Sequence, residues 1–167
     1  AGARQVFVVE KAPNRIQLAR RMGAHHVIDP STTPPKTYVY DHTGGLGPDV
    51  VFECIGSAQA PAWAIEMGRK RGRVVLVGIY GEPSQIHLLD VVVNEKEVIG
   101  TMAHIYDQDY AEAVMALADG RVQLAPLITA RIPLERIVED GFERMIHDKT
   151  QQLKILVTPE KHRLAAV

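Results

Sequence analysis

The stretch RQVFVVEKAPNRIQLARRMGAHHVIDP, residues 4–30, decides the fold class of this chain. Residues 5–9 form a short, continuous apolar run, which is typical of a strand buried on both faces of a parallel sheet. After a proline, apolar residues recur at helical spacing as far as Gly23. A second short apolar run follows at residues 26–28. The order strand, helix, strand predicts a βαβ unit in an α/β fold.

The same alternation continues along the chain. Further strands are predicted at residues 49–54, 73–79, 97–102 and 153–158, and helices at residues 60–70, 107–119 and 134–147. The proline-containing stretch 31–36 is predicted as loop. The apolar, β-branched run 86–93 is interpreted, together with the strand at 97–102, as the candidate edge of the sheet. From about residue 126 the strict alternation lapses into loop, helix and one strand.

Composition sets limits on the function. The 167 residues are 46% hydrophobic and 23% charged with a net charge of −1, which suits one soluble domain with a real core. This balance predicts no nucleic-acid partner, and no apolar stretch is long enough to predict a membrane span. A cytoplasmic location fits these features. The single cysteine, Cys54, excludes a cysteine zinc site within the chain. Cys54 is predicted to be a small buried hydrophobe and not a nucleophile.

Glu10 stands directly after the first strand, at the edge where open α/β sheets bind ligands. A carboxylate at this point can accept the ribose hydroxyls of an adenosine and would repel a 2′-phosphate. It can equally be a surface acid near a helix start, where negative charge is favoured. Arg15, one turn into the helix, either lies near the same ribose or is a solvated helix residue. Position alone leaves both alternatives open.

The glycine-rich stretches differ in what they predict. GGLG, residues 44–47, precedes a strand, whereas a dinucleotide-binding turn must follow a strand and open a helix. We therefore interpret it as a plain turn. CIGS at residues 54–57 and VGIYG at residues 77–81 follow strands, where glycine lets a planar ligand approach the backbone, although simple turns explain them too. The scattered histidines show no helical zinc spacing.

Together these segments resemble the coenzyme-binding half of zinc-type medium-chain alcohol and polyol dehydrogenases. Butanediol, sorbitol and threonine dehydrogenases are the members that the chain resembles most. The segments that carry the resemblance occur in the family's order and are VFVVEKAPNRIQLARRMGAHHVIDP, TGGLGPDVVFECIGS, GRVVLVGIYG, NEKEVIGTMAH, PLITARIPLERIVEDGF and LKILVTP.

This resemblance implies an incomplete Rossmann-type doubly wound parallel sheet that lacks the first strand and the Gly-rich turn. We expect residues 2–125 to form a partial NAD-binding domain and residues 126–159 to return to a catalytic domain. Residues 160–167 are expected to be a tail. In the family, the first strand, the GxGxxG turn and the catalytic domain with its zinc ligands lie upstream of the matching segments. We therefore expect this chain to be part of a longer protein and to be inactive alone.

The resemblance also assigns roles to individual residues. Glu10 would bind the adenosine ribose and favour NAD over NADP, with Arg15 nearby. The nicotinamide would be bordered by Val77, Gly78, Ile79 and the backbone around Thr101 to Ala103. Lys154 would match a basic residue that reaches the pyrophosphate.

For the full-length protein, the resemblance implies hydride transfer between a small alcohol or ketone and NAD, with zinc held by the catalytic domain. It also implies a homo-oligomer, formed through the candidate edge at residues 86–102. Three alternatives stay open at this point. They are a zinc-free quinone reductase relative, a non-catalytic module that binds nucleotide or protein, and a methyltransferase. A methyltransferase would also place an acid after the second strand of its complete sheet, the strand that comes first in this chain.

Overall fold

The computed structural model describes residues 2–103, 105–148 and 150–159, so the tail expected at 160–167 lies outside the described residues. The strands are β1 Phe7–Val9, β2 His26–Ile28, β3 Val50–Glu53, β4 Arg73–Leu76, β5 Glu97–Gly100, β6 Ile128–Pro133 and β7 Lys154–Thr158. The α-helices are α1 Pro13–Arg21, α2 Pro35–Asp41, α3 Ala60–Met67, α4 Leu88–Val93, α5 Ala111–Ala118 and α6 Glu143–His147. The predicted α/β class is confirmed.

The chain divides into two compact units. Among the described residues, the central unit comprises residues 28–103, and the terminal unit comprises residues 2–27 together with residues 105–148 and 150–159. The division differs from the domain boundaries expected from the sequence, which stay a prediction.

A three-stranded parallel sheet with the order β3-β4-β5 organises the central unit. In the ladder, Val51 is opposite Val74, and Val74 is opposite Val98. Because the strands are parallel, Glu53, Leu76 and Gly100 all end at one edge of the sheet. This is the edge at which open α/β sheets bind ligands.

Helix α3 packs against this sheet and forms the core of the central unit. Its Ala64 and Ile65 and the β4 residue Val74 are buried together. The small alanine side chain lets the helix backbone come close to the strands, while the branched residues fill the remaining space. Val51, Leu76, Ile86 and Val91 pack around this cluster.

The sheet of the central unit has an unpaired edge at β3. Among the described strands, β3 pairs with β4 only, and β1 and β2 form a separate two-stranded sheet. A complete doubly wound sheet of this type has the strand order 3-2-1-4-5-6 in one continuous ladder. The incomplete Rossmann-type sheet expected from the resemblance is therefore confirmed. Phe52 on β3 is 66% exposed.

The terminal unit contains two small sheets. One is the β1-β2 pair with helix α1, and the other is the parallel β6-β7 pair. A π-helical turn, Tyr106–Tyr110, leads into α5, and a second one, Ile137–Phe142, leads into α6. Gly141 lies buried in the second turn, where an added Cβ would come within 3.2 Å of Ile132.

Several local predictions are wrong. The predicted loop 31–36 overlaps the start of α2, because a proline at the first helical position already has a helical φ and needs no N–H partner. The run 86–93 contains helix α4 and not extended structure. Its Val91 packs on the core, and this tertiary contact outweighs the strand preference of valine.

Strand β6 was not predicted, because its terminal proline argues against a strand, although a strand end tolerates it. The helix predicted at residues 134–147 consists of a 3-10 turn at Leu134–Arg136, the π-helical turn and α6. None of the helices in the described part of the chain has the length and hydropathy that a membrane span requires.

Candidate functional site

Glu10 lies just beyond the end of β1 and is held in place by the start of α1. Its Oε1 accepts hydrogen bonds from the backbone N–H groups of Lys11 at 2.7 Å and Ala12 at 2.9 Å. Arg15 Nη1 lies 3.6 Å from Glu10 Oε2. The carboxylate is therefore oriented by backbone donors at a helix start, where the helix dipole favours negative charge. Its remaining lone pairs are available to hydroxyl donors.

In the central unit, the segments that follow β3 and β4 are hydrogen-bonded to each other. The main-chain oxygen of Glu53 accepts from Val77 N at 2.8 Å and from Gly78 N at 2.9 Å. On the other side of β4, Thr101 N donates to Leu76 O at 3.1 Å. Val77, Gly78 and Thr101 are thus brought together at the carboxyl edge of the sheet.

Sequence reasoning missed Glu53, although it forms part of this edge. Its side chain is 4% exposed, and Oε1 accepts from the backbone N–H groups of Ile55 at 2.7 Å and Gly56 at 2.9 Å. Oε2 is enclosed and has no hydrogen-bond partner among the described residues. The signal was present in the sequence: Glu53 is an acidic residue within DVVFEC, an otherwise apolar strand.

Two glycines allow the close contact between these turns. A Cβ added to Gly56 would meet the main-chain oxygen of Ile79 at 2.4 Å, and Gly56 also has a φ of +68°. A Cβ added to Gly78 would meet Gly56 N at 2.2 Å and Glu53 Oε2 at 2.5 Å. Neither position has space for a side chain. These are the glycines of the CIGS and VGIYG stretches, and they serve close backbone packing.

Apolar and thiol groups are exposed next to these turns. Ile55 and Ile79 are 65% and 75% exposed. The prediction that Cys54 is buried is wrong, since the thiol is exposed. Partial burial and then the nearby Glu53 charge raise the pKa of Cys54 above its ordinary value of 9.0. At neutral pH the thiol is therefore protonated, which agrees with the expectation that Cys54 is not a nucleophile.

The predicted site residues fall into two groups, one in each unit. Glu10 and Arg15 form an ion pair in the terminal unit, which also contains Lys154. Lys154 begins β7, opposite Ile128 of β6. Val77, Gly78, Ile79 and Thr101 belong to the central unit. Their cofactor-binding roles stay predictions.

The histidine, cysteine and acidic residues that the structure describes do not form a metal site. Within residues 2–103, 105–148 and 150–159, no group of three or more such side chains could hold a metal ion. These residues therefore do not fit zinc, and no chemical step at a metal can be assigned to them.

Comparison with known proteins identifies the family. A family model described as zinc-binding dehydrogenase matches residues 1–120. The chain belongs to the zinc-binding dehydrogenase family. This membership confirms the resemblance stated from the sequence and decides against the methyltransferase alternative.

The relatives of this zinc-binding dehydrogenase chain include alcohol and polyol dehydrogenases. It is 35% identical to (R,R)-butanediol dehydrogenase from Neisseria gonorrhoeae over 93% of its own length and 44% of that protein. It is 32% identical to human sorbitol dehydrogenase over 83% of its own length and 39% of that protein. The chain thus spans less than half the length of the curated relatives it matches.

The fold agrees with that of a solved relative in the family. The crystal structure of 2R,3R-butanediol dehydrogenase from Bacillus subtilis superimposes with a TM-score of 0.85 and 34% identity, covering 96% of this chain and 45% of that one. The chain therefore shares the fold of part of that dehydrogenase.

Proposed function

We propose that this chain is the coenzyme-binding part of a zinc-dependent alcohol or polyol dehydrogenase that transfers hydride between a secondary alcohol and NAD. The observation that carries the proposal is the Glu10 carboxylate, which backbone donors at the start of α1 orient at the end of β1. Family membership and the names of the relatives support the reaction class. As the alternative, a zinc-free quinone reductase relative would use the same cofactor part with a different catalytic domain.

In this proposal the chain's own residues bind and orient the cofactor. Glu10 accepts hydrogen bonds from the adenosine ribose hydroxyls, and Arg15, at 3.6 Å from Glu10 Oε2, limits how that carboxylate can turn. Val77, Gly78, Ile79 and Thr101 border the nicotinamide, and Lys154 approaches the pyrophosphate. NAD, when bound, supplies the hydride acceptor. Zinc would be bound by residues outside this chain, in a catalytic domain that also binds the alcohol or ketone.

Binding of NAD and NADP by the full-length protein tests the role of Glu10. A carboxylate at the ribose favours NAD, because it would repel the 2′-phosphate of NADP. We expect Glu10→Ala to weaken NAD binding by about tenfold or more, as loss of hydrogen bonds to a charged group does, and to reduce the preference over NADP. Glu112→Ala removes an exposed glutamate from α5 and serves as the control. Equal affinities of the Glu10 variant and the wild type would refute the assignment.

The intact mass of the natural protein separates a dehydrogenase from a non-catalytic module. A mass near 18.4 kDa, that of this chain, would favour a module that binds nucleotide or protein. A mass of about twice that value agrees with the share of the relatives that the chain covers. Zinc content and alcohol oxidation would then be measured on the full-length protein, and lack of both would contradict the proposed reaction.

A further inference from the structure

A buried carboxylate joins the turn after β3 to the turn after β4. We propose that Glu53 is a positioning residue, which holds these two turns in the arrangement that binds the nicotinamide end of NAD. The inference rests on the proposed function, because that function assigns Val77, Gly78 and Ile79 to the nicotinamide. Neither the sequence patterns nor the resemblance identified Glu53 as part of this site.

The side chain of Glu53 fixes the first turn. Oε1 accepts the N–H groups of Ile55 and Gly56 at 2.7 and 2.9 Å, and both bonds are charge-assisted. Gly56 is in the left-handed region, with a φ of +68°, so the chain reverses sharply at this point. Without the carboxylate, two backbone donors would lose their acceptor at the position where the turn is tightest.

The main chain of Glu53 and the shape of its side chain fix the second turn. Its carbonyl oxygen accepts from both Val77 N and Gly78 N. Gly78 then lies so close to Oε2 and to Gly56 N that even a methyl group would not fit. Both turns are therefore packed against the same residue, and a shift of the Glu53 side chain would move both.

Burying the Glu53 carboxylate costs desolvation free energy, which argues that this residue does more than stabilise the fold. A buried carboxylate loses its hydration, and only one of its two oxygens is hydrogen-bonded by described residues. The turns that it orders carry Ile55 and Ile79, two exposed apolar side chains with no role in the core. Ordering exposed apolar groups around a glycine pair is useful when a planar ring binds against them. Since Oε2 is enclosed by protein, Glu53 acts through the turns and does not itself contact the nucleotide.

The test compares two ligands on the full-length protein. AMP contains the adenosine part with one phosphate, whereas NADH also contains the second phosphate and the nicotinamide riboside. We expect Glu53→Ala and Glu53→Asp to weaken NADH binding by about tenfold or more, the effect of losing about 1.4 kcal/mol, and to change AMP binding by less than about twofold. Asp is one methylene shorter, so it keeps the charge but cannot reach both N–H groups. Glu53→Gln, whose amide oxygen can still accept from both, should restore most of the NADH affinity.

Fluorescence titration measures the affinity for NADH, and calorimetric titration measures the affinity for AMP. Urea unfolding of each variant in parallel shows whether the variant is folded. The control is Glu112→Ala, which removes an exposed glutamate from α5. If Glu53→Ala does not fold, Glu53→Asp decides. Equal losses of NADH and AMP, no loss of either, or failure of Glu53→Gln to restore binding would each overturn the positioning role. A wild-type protein that binds neither ligand would instead refute the proposed function.

Discussion

The carboxylate of Glu53 lies directly against Gly78, with Oε2 only 2.5 Å from the point that a Gly78 Cβ would occupy. Because Gly56 N lies 2.2 Å from the same point, the contact has backbone on one side and a buried charge on the other. At the edge of the sheet that we assign to the nicotinamide, position 78 therefore has no space for a side chain.

Gly78→Ala is expected to destabilise the protein by about 1–3 kcal/mol, the usual cost of overpacking. The alanine methyl group cannot be accommodated by rotation of a flexible side chain, because Gly56 contributes backbone to the contact. Urea unfolding measures the change. Gly81→Ala is the matched control, since an added Cβ there meets no atom within 4 Å. Equal unfolding midpoints for the two variants would show that the two turns are not in close contact at Gly78.

Cys54 is expected to react slowly with iodoacetamide at about neutral pH although its side chain is exposed, because partial desolvation and the Glu53 charge raise its pKa. The rate should rise as the pH passes 9.0, the ordinary thiol value. Within this chain Cys54 is the single cysteine, so peptide mapping of the alkylated protein reports on it alone. Glu53→Gln removes the nearby charge and should shift the pH profile downward. A Cys54 as reactive at neutral pH as glutathione would contradict this prediction.

Asp140 is expected to stabilise the terminal unit at neutral pH and to lose this effect in acid. Hydrogen bonds from Arg136 lower the pKa of Asp140 below its ordinary value of 3.8. A lowered carboxyl pKa adds stability above the unfolded-state value, and that stability is lost as the pH falls through the folded-state value. Asp140→Asn should therefore lower the urea midpoint at about pH 7 and differ less from wild type only well below the ordinary carboxyl value, at about pH 2.5.

Asp107→Asn, at an exposed aspartate in the first π-helical turn, is the control for Asp140. It should change the urea midpoint little at either pH. A constant effect of Asp140→Asn across the pH range would show that the charge of Asp140 is not the cause.

The full-length protein is expected to be a homo-oligomer that associates through β5. Each residue of β5 is exposed, and among the described strands β5 pairs with β4 only. An open edge of this kind pairs readily with a second chain, and a lysine on it opposes pairing. Ile99→Lys should therefore lower the mass found by sedimentation equilibrium. Val122→Lys, at another exposed valine, should not. An unchanged mass for the Ile99 variant would place the interface elsewhere.

Local pattern was enough for much of the fold. The strands at residues 26–28 and 73–76 and the helix that begins at Ala60 lie where apolar periodicity predicted them. The GGLG stretch is a turn, with Gly44, Gly45 and Gly47 all at positive φ. Helix α4 was mistaken for extended structure, because a short β-branched run has no periodicity that separates strand from helix.

The candidate site was predictable only in part. Glu10 and the glycines after β4 follow strand ends, so their positions could be inferred from chain order and the geometry of parallel sheets. The role of Glu53 could not be predicted from the sequence. It depends on backbone groups of two turns that are about twenty residues apart in the chain and meet only in the folded sheet.

By itself, the sequence determined the α/β alternation, the family and the acidic residue after the first strand. The alternation and the acidic residue depend on residue type and spacing within about thirty residues, the length of one βαβ unit, whereas the family depends on the order of several segments along the chain. The tertiary structure alone decided that Glu53 holds two turns together and that Gly78 has no room for a methyl group. These features arise from contacts between segments distant in the chain, whose geometry local periodicity does not specify.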